Sequence, residues 1–412
     1  MVSYEKFTLQ NGLQVYIHQD KTTPIAAFNL LYQVGARDED ENKTGFAHLF
    51  EHLMFGGSVN IPVFDEPLQQ VGGENNAFTS NDITNYYITL PVGNLETAFW
   101  LESDRMLSLN FDEKSLETQR KVVIEEFKQR YLNQPYGDAW LHLRPLAYKT
   151  HPYRWATIGK EISHIEDATM EDVKHFFKKF YIPNNAVLVV AGNVTTQQIK
   201  ELAEKWFAPI PAGTPYMRNL PQEAKQTEAR ITEIFGKVPQ NAIYKAYKMP
   251  NRLDRNYYVA DLMGDILGRG KSSRLYQKLV KQKPFFNELS AYISGSADEG
   301  LLVIQGNLND NITLEEANKA IETVVDEFLM ENLSEIELEK VKNKAISTLL
   351  FSEVELLNRA MNLAYFAALG KVEMINEEEN TLANITVKDI KEVAEEILCP
   401  TNCSTLFYRK QS

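Results

Sequence analysis

Five consecutive residues carry the densest chemistry in the chain: His48, Leu49, Phe50, Glu51 and His52. On a helix, residues four apart lie on one face about one turn from each other, so the imidazoles of His48 and His52 can reach a single metal ion. Glu51, three positions after His48, falls at the edge of that face, where its carboxylate can take a proton from an attacking water. Phe46, Leu49, Leu53 and Met54 recur at helical spacing and would bury this helix against a core. Two imidazoles and a carboxylate buried without partners would cost several kcal/mol, and a shared metal removes that penalty. The plainer fate of a histidine, bonding to a neighbouring polar group, suits His18, His142, His151, His164 and His175. None of these has a second His or Cys at ligand spacing.

A catalytic zinc takes three protein ligands and a water, so another donor has to come from elsewhere. The best candidates stand in the helical stretch 119–127, which ends Ile124, Glu125, Glu126, Phe127. Glu125 and Glu126 lie about 100° apart around that helix, so only one of them can face the site. An inverted His-x-x-Glu-His string, followed at this distance by an apolar run closed by acids, resembles the zinc peptidases that include pitrilysin, insulysin and mitochondrial processing peptidase. The resemblance implies one Zn2+ per chain, held by His48, His52 and Glu126, with Glu51 as general base and Glu125 as the fallback ligand. The distance from His52 to Glu126 is 126 − 52 = 74 positions.

A second stretch, Gly72-Gly73-Glu74-Asn75-Asn76-Ala77-Phe78-Thr79-Ser80 continuing to Tyr87, is similar to the family's edge strand. By that likeness the main chain of Asn76, Ala77 and Phe78 binds substrate, gripping a peptide as an added strand with little sequence preference. The chain departs from the family pattern at two places. Gln119 stands where an additional acid is common, and an amide can hydrogen-bond there but carries no charge. Active relatives also hold the substrate carbonyl with an Arg and a Tyr from the C-terminal half, yet the strand-like stretch 300–305 reads Gly-Leu-Leu-Val-Ile-Gln. Arg274 and Tyr276 come earlier and read as packing for a helix start. The resemblance therefore implies a zinc endopeptidase for peptides or extended unfolded segments. It also implies a second subunit of the same architecture, either a paralogue supplying Arg and Tyr or another copy of this chain. The alternative is a catalytically weak or structural subunit of a peptidase-like heterodimer.

The elements that must position these residues read as α+β. Around Asn11-Gly12 the alternation over 6–27 predicts a hairpin leading to a strand at 26–34, and the motif helix at 45–55 ends at Gly56-Gly57. A short helix over 64–71, two strands within 76–91, helices over 95–107 and 113–130, a buried strand at 186–191 and a helix over 196–207 follow. Pro209, Pro211, Pro215 and Pro221 mark a linker over 208–229. Beyond it the order resumes in similar form. Strands are expected at 230–235, 242–249 and 300–305, and helices at 255–267, from 273, at 314–330 and at 335–350. The sequence thus reads as a zinc-binding catalytic domain (1–207), the linker and a second homologous domain without metal (230–412). Each is a mainly antiparallel sheet covered by helices, and the resemblance implies that together they form half of a clam-shaped chamber.

Composition narrows the field. With 412 residues the chain is long enough for two cores, and a net charge of −13 argues against a nucleic-acid partner. The acidic runs 38–41 and 377–379 read as solvated loops and faces. No stretch has the roughly 18 consecutive apolar residues of a membrane span, and the first ten residues lack a signal pattern. A cytoplasmic protein without a membrane partner is the expectation. Cys399 and Cys403 are the two cysteines, too few for a disulfide framework.

Overall fold

The computed structural model describes residues 1–411. Two compact units emerge. The first holds Met1–Phe127, Trp155–Leu220 and Leu350–Glu377, and the second holds Lys128–Arg154, Pro221–Leu349 and the residues from Glu378 onward. Each is a sheet with helices, and the fold class is α+β as the sequence indicates.

In the first unit the strands are β1 (Glu5–Thr8), β2 (Gln14–Gln19), β3 (Ile25–Tyr32), β4 (Glu74–Thr79), β5 (Thr84–Pro91) and β6 (Ala186–Gly192), in the order β1-β2-β6-β3-β5-β4. The central strand β6 is a continuous apolar run, and β3 is apolar but for Asn29, which is bonded to Asn85, because both of their faces are covered. At the edge, β4 alternates exposed and partly buried residues. The second unit has β7 (Arg230–Gly236), β8 (Ala242–Met249), β9 (Phe286–Ser294), β10 (Gly300–Leu308) and β11 (Cys403–Lys410), in the order β7-β11-β8-β10-β9.

Setting β1 aside and adding five to each remaining strand number converts the first order into the second. The orientations agree as well: β2 runs parallel to β6 and β7 parallel to β11, while the other pairs are antiparallel. The half-chain repeat, faint as element order in the sequence, is thus explicit in the topology. Sequence reading missed β9 and β11. The first lacks clean alternation, and the second is a C-terminal segment whose partner β7 lies more than 160 residues away.

The units are not contiguous halves of the chain. The helix Leu356–Ala368, from the second half of the sequence, buries Ala360, Leu363, Ala364 and Ala367 against Ala27, Leu31, Val187 and Val189 of the first sheet. The helix Ala139–Ala147, from the first half, buries Ala139, Leu143 and Ala147 against Tyr244, Ala246, Val303 and Leu406 of the second. Both are the third helix after the corresponding strand, β5 or β10. Each repeat therefore closes the sheet of the other, which a contiguous reading at 207 and 230 does not capture.

Residues 208–229 contain no regular element. Up to Leu220 they are pinned to the first unit, where Arg218 bonds Asp38 and the carbonyls of Gln33 and Asp82. From Pro221 they belong to the second, where Glu223 accepts the backbone N–H groups of Lys149, Thr150 and His151. The acidic runs also depart from expectation. Asp38, Glu39 and Glu378 are buried, each with a cationic or backbone donor, while Asp40 and Glu41 are exposed.

Candidate active site

The motif helix, α1 (Phe46–Leu53), starts at Gly45, whose φ of +88° lies in the left-handed region. A Cβ there would stand 2.5 Å from the Ile158 carbonyl oxygen, so glycine is required on both counts. Phe46, Leu49, Phe50 and Leu53 form the buried face. Phe50 stacks on Phe176 (4.9 Å between centroids) and on Tyr181 (5.1 Å), at the end of α4 (Met170–Phe180). That packing rotates His48, Glu51 and His52 to the opposite, partly exposed face.

Buried polar side chains hold the two ends of α1. At its start, the Glu39 carboxyl accepts the N–H groups of Gly45 (2.9 Å) and Ala47 (2.8 Å). Burial pushes the Glu39 carboxyl up to about 8, against the pull of these two donors. At the other end, Arg105 on α2 (Leu95–Ser108) reaches the Met54 carbonyl at 3.4 Å. Its guanidinium lies 4.4 Å from the ring centroids of Phe64 and Tyr86 and is bonded through two nitrogens to Glu102. Sequence reasoning overlooked both devices. Glu39 was hidden in an acidic run, and the Glu102–Arg105 pair, three apart on a helix, looks like an ordinary surface pair.

The third donor comes from α3 (Glu113–Phe127). Its inner stripe is Leu116, Val123 and Phe127, all buried, and Glu126 lies beside Val123 and Phe127 on that stripe. Glu125, one residue earlier, is exposed. The Glu126 Oε2 atom stands 3.6 Å from His48 Nε2 and 3.4 Å from His52 Nε2, and the three candidate donor atoms lie within 4.8 Å of one another. Both nitrogen–oxygen separations exceed normal hydrogen-bond lengths. They match the spacing of about 3.3 Å between two ligands that share one tetrahedral zinc at bonds of about 2.0–2.1 Å. Two imidazoles and a carboxylate also form the donor set of a catalytic zinc with room for a water. The residues therefore fit the ion.

Glu51 reaches β4, where Thr79 Oγ1 donates to its Oε2 at 2.5 Å. Asn76, Ala77 and Phe78 lie along the same edge strand, Phe78 being 40% exposed, and the Ala77 N–H bonds Asn76 Oδ1. Gln119 is seven residues before Glu126 on the same helix and is partly exposed.

Other histidines have structural partners: His18 with the Ser3 carbonyl and Arg359, His164 with Thr44, and His151 with Asp298. Arg274 is taken up by Glu331 and Glu337. Both cysteines are free thiols. Among the described residues no helix is long and apolar enough to cross a membrane.

A sequence profile described as Insulinase (Peptidase family M16) matches residues 14–151, and one described as Peptidase M16 inactive domain matches residues 167–345. The chain is 30% identical over 416 residues to the zinc protease PqqE of Helicobacter pylori, with 98% of this chain and 93% of that protein covered. It belongs to peptidase family M16. The M16 fold extends over the whole chain: a crystal structure of a protease from Helicobacter pylori superposes with a TM-score of 0.92 at 30% identity, covering 99% of this chain and 100% of that one. A probable mitochondrial-processing peptidase subunit beta from Schizosaccharomyces pombe is 25% identical over 421 residues, covering 96% of this chain and 88% of that protein. Names of the M16 relatives point to a peptidase-like function with zinc. The inactive-domain profile falls outside the motif, on residues that carry no such donor cluster among those described.

Proposed function

We propose that this M16 chain is a zinc-dependent endopeptidase acting on peptides or extended unfolded segments, with His48, His52 and Glu126 as metal ligands and Glu51 as general base. One observation carries the reading: donors from two separate helices converge at separations suited to a single ion. Zinc bound there supplies Lewis-acid polarisation of the scissile carbonyl and lowers the pKa of a water to about 7. Glu51 takes a proton from the attacking water and passes it to the leaving amine. The main chain of Asn76, Ala77 and Phe78, on the edge of the sheet, binds the substrate as a further strand, which favours unfolded segments over folded ones.

A second subunit of the same architecture completes the machinery, as a paralogue or another copy of the chain. The observation favouring this is β10, where Gly300–Leu308 contains no arginine to steady the carbonyl oxygen. A preorganised donor at that oxygen is worth about 10²- to 10³-fold in rate. On this reading the chain alone binds zinc and cleaves peptides slowly. Elemental analysis together with cleavage of an unstructured fluorogenic peptide tests both points. Glu51→Gln is expected to keep zinc and lose about 10²- to 10⁴-fold in turnover. Near-normal turnover by that variant overturns the role of Glu51, and full activity from a strict monomer overturns the need for a partner.

A further inference from the structure

Resting on the peptidase reading, we infer that Thr79 is a positioning residue that ties the general base to the strand on which substrate lies. Glu51 sits on α1 and the peptide-binding residues on β4, two elements far apart in sequence. Their link is the Thr79 hydroxyl, which donates to Glu51 Oε2 at 2.5 Å.

Thr79 is itself held rigidly. It is the last residue of β4 and pairs with Thr84 of β5. The turn that follows is closed by Ser80, whose N–H donates to the Ile83 carbonyl while its hydroxyl oxygen accepts the N–H groups of Asp82 and Ile83. That turn is bonded to the rest of the unit, the Ser80 and Asn81 carbonyls accepting the N–H groups of Ala36 and Arg37. Gly35 lies so close that a Cβ would stand 2.5 Å from the Asn81 carbonyl. Threonine adds stiffness of its own, since branching at Cβ restricts χ1.

Thr79 is three residues beyond Asn76, about 10 Å along an extended strand. A peptide paired with Asn76, Ala77 and Phe78 is therefore registered against the same rigid segment that holds the Glu51 carboxylate. The base needs no separate alignment once the peptide is seated. Without the hydroxyl, Glu51 has more rotamers open to it, and small misplacements of a catalytic group are expensive in rate.

The inference separates Thr79 from a residue that merely stabilises the fold. Thr79→Val, nearly isosteric, should lower kcat about 10- to 100-fold, the worth of one hydrogen bond to a charged group. KM for the peptide and zinc content should stay unchanged. Thr79→Ser, which restores the hydroxyl, should recover turnover to within a fewfold of wild type. In crystals of the zinc-loaded proteins the Glu51 carboxylate should leave its position in Thr79→Val and keep it in Thr79→Ser. An active wild type alongside an equally active Thr79→Val overturns this inference alone, as does a Ser variant no better than Val. A zinc-loaded wild type with no peptidase activity, alone or with its partner subunit, overturns the peptidase reading and this inference with it.

Discussion

Arg105→Met is the sharpest test of how α1 is held. The Glu102 and Arg105 side chains are 0% and 2% exposed, and two guanidinium nitrogens bond the carboxylate. Removing one member of such a pair leaves a buried charge unmatched, a loss of about 3–5 kcal/mol. Counting two charge-assisted bonds at about 1.5–3 kcal/mol each gives a similar figure. Methionine fills the space between Phe64 and Tyr86, so little of the loss comes from a cavity. Burial already raises the Glu102 carboxyl, and Arg105 is what opposes it. In the variant the raising force stands alone. A carboxyl raised in the folded state contributes stability below its unfolded value of about 4.3, which is lost as pH climbs to the folded value. The wild-type carboxyl is raised as well, so the deficit of Arg105→Met should grow only once pH passes the wild-type folded value, by up to about 1.4 kcal/mol per pH unit until the variant's own folded value is reached. Replacing both residues, Glu102→Leu with Arg105→Met, should recover most of the stability. Urea unfolding followed by circular dichroism from pH 4 to 8 reads all of this. A deficit below about 1 kcal/mol at pH 7, or equal deficits in the single and double variants, would refute the reasoning.

Other outcomes follow from the same contacts. His48→Ala, His52→Ala and Glu126→Ala should each bind zinc far more weakly, since a three-ligand site has no spare donor, while Glu125→Ala keeps full stoichiometry; elemental analysis of dialysed protein distinguishes them. Leu363→Ala, more than 300 residues after the motif, should destabilise the unit that contains it by about 2–5 kcal/mol, seen as faster hydrogen exchange of the β3 and β6 amides. Glu223 is held down to about 2, where burial is outweighed by the N–H groups of His151, Thr150 and Lys149 and by the charge of Lys248. Its stabilisation is present above about pH 4.3 and disappears as pH falls toward 2, so Glu223→Gln should be less stable at pH 7 and approach wild type in acid unfolding.

How much the residues alone disclosed depends on the range of the interaction involved. The helical spacing of His48, Glu51 and His52 is a local property, fixed by 3.6 residues per turn. So is the amphipathic stripe that sets Phe46, Leu49 and Leu53 on the other side of α1, and both were legible without coordinates. The hairpin at Asn11-Gly12 and the buried strand β6 were legible for the same reason. The choice between Glu125 and Glu126 was not, because two adjacent acids on a charged helix look alike until packing of Val123 and Phe127 fixes which way the helix is rolled. Nor was the burial of Glu39 and Glu378, whose partners Gly45, Ala47 and Arg252 make a carboxyl group tolerable inside. Sequence determined which residues can do chemistry and the elements that carry them. Tertiary structure decided which distant atoms meet: Glu126 with the two histidines, Thr79 with Glu51, and the helix Leu356–Ala368 with the sheet of the other half. Such contacts are made across long loops by packing surfaces, and neither the residue types nor their spacing records which surface a helix will choose.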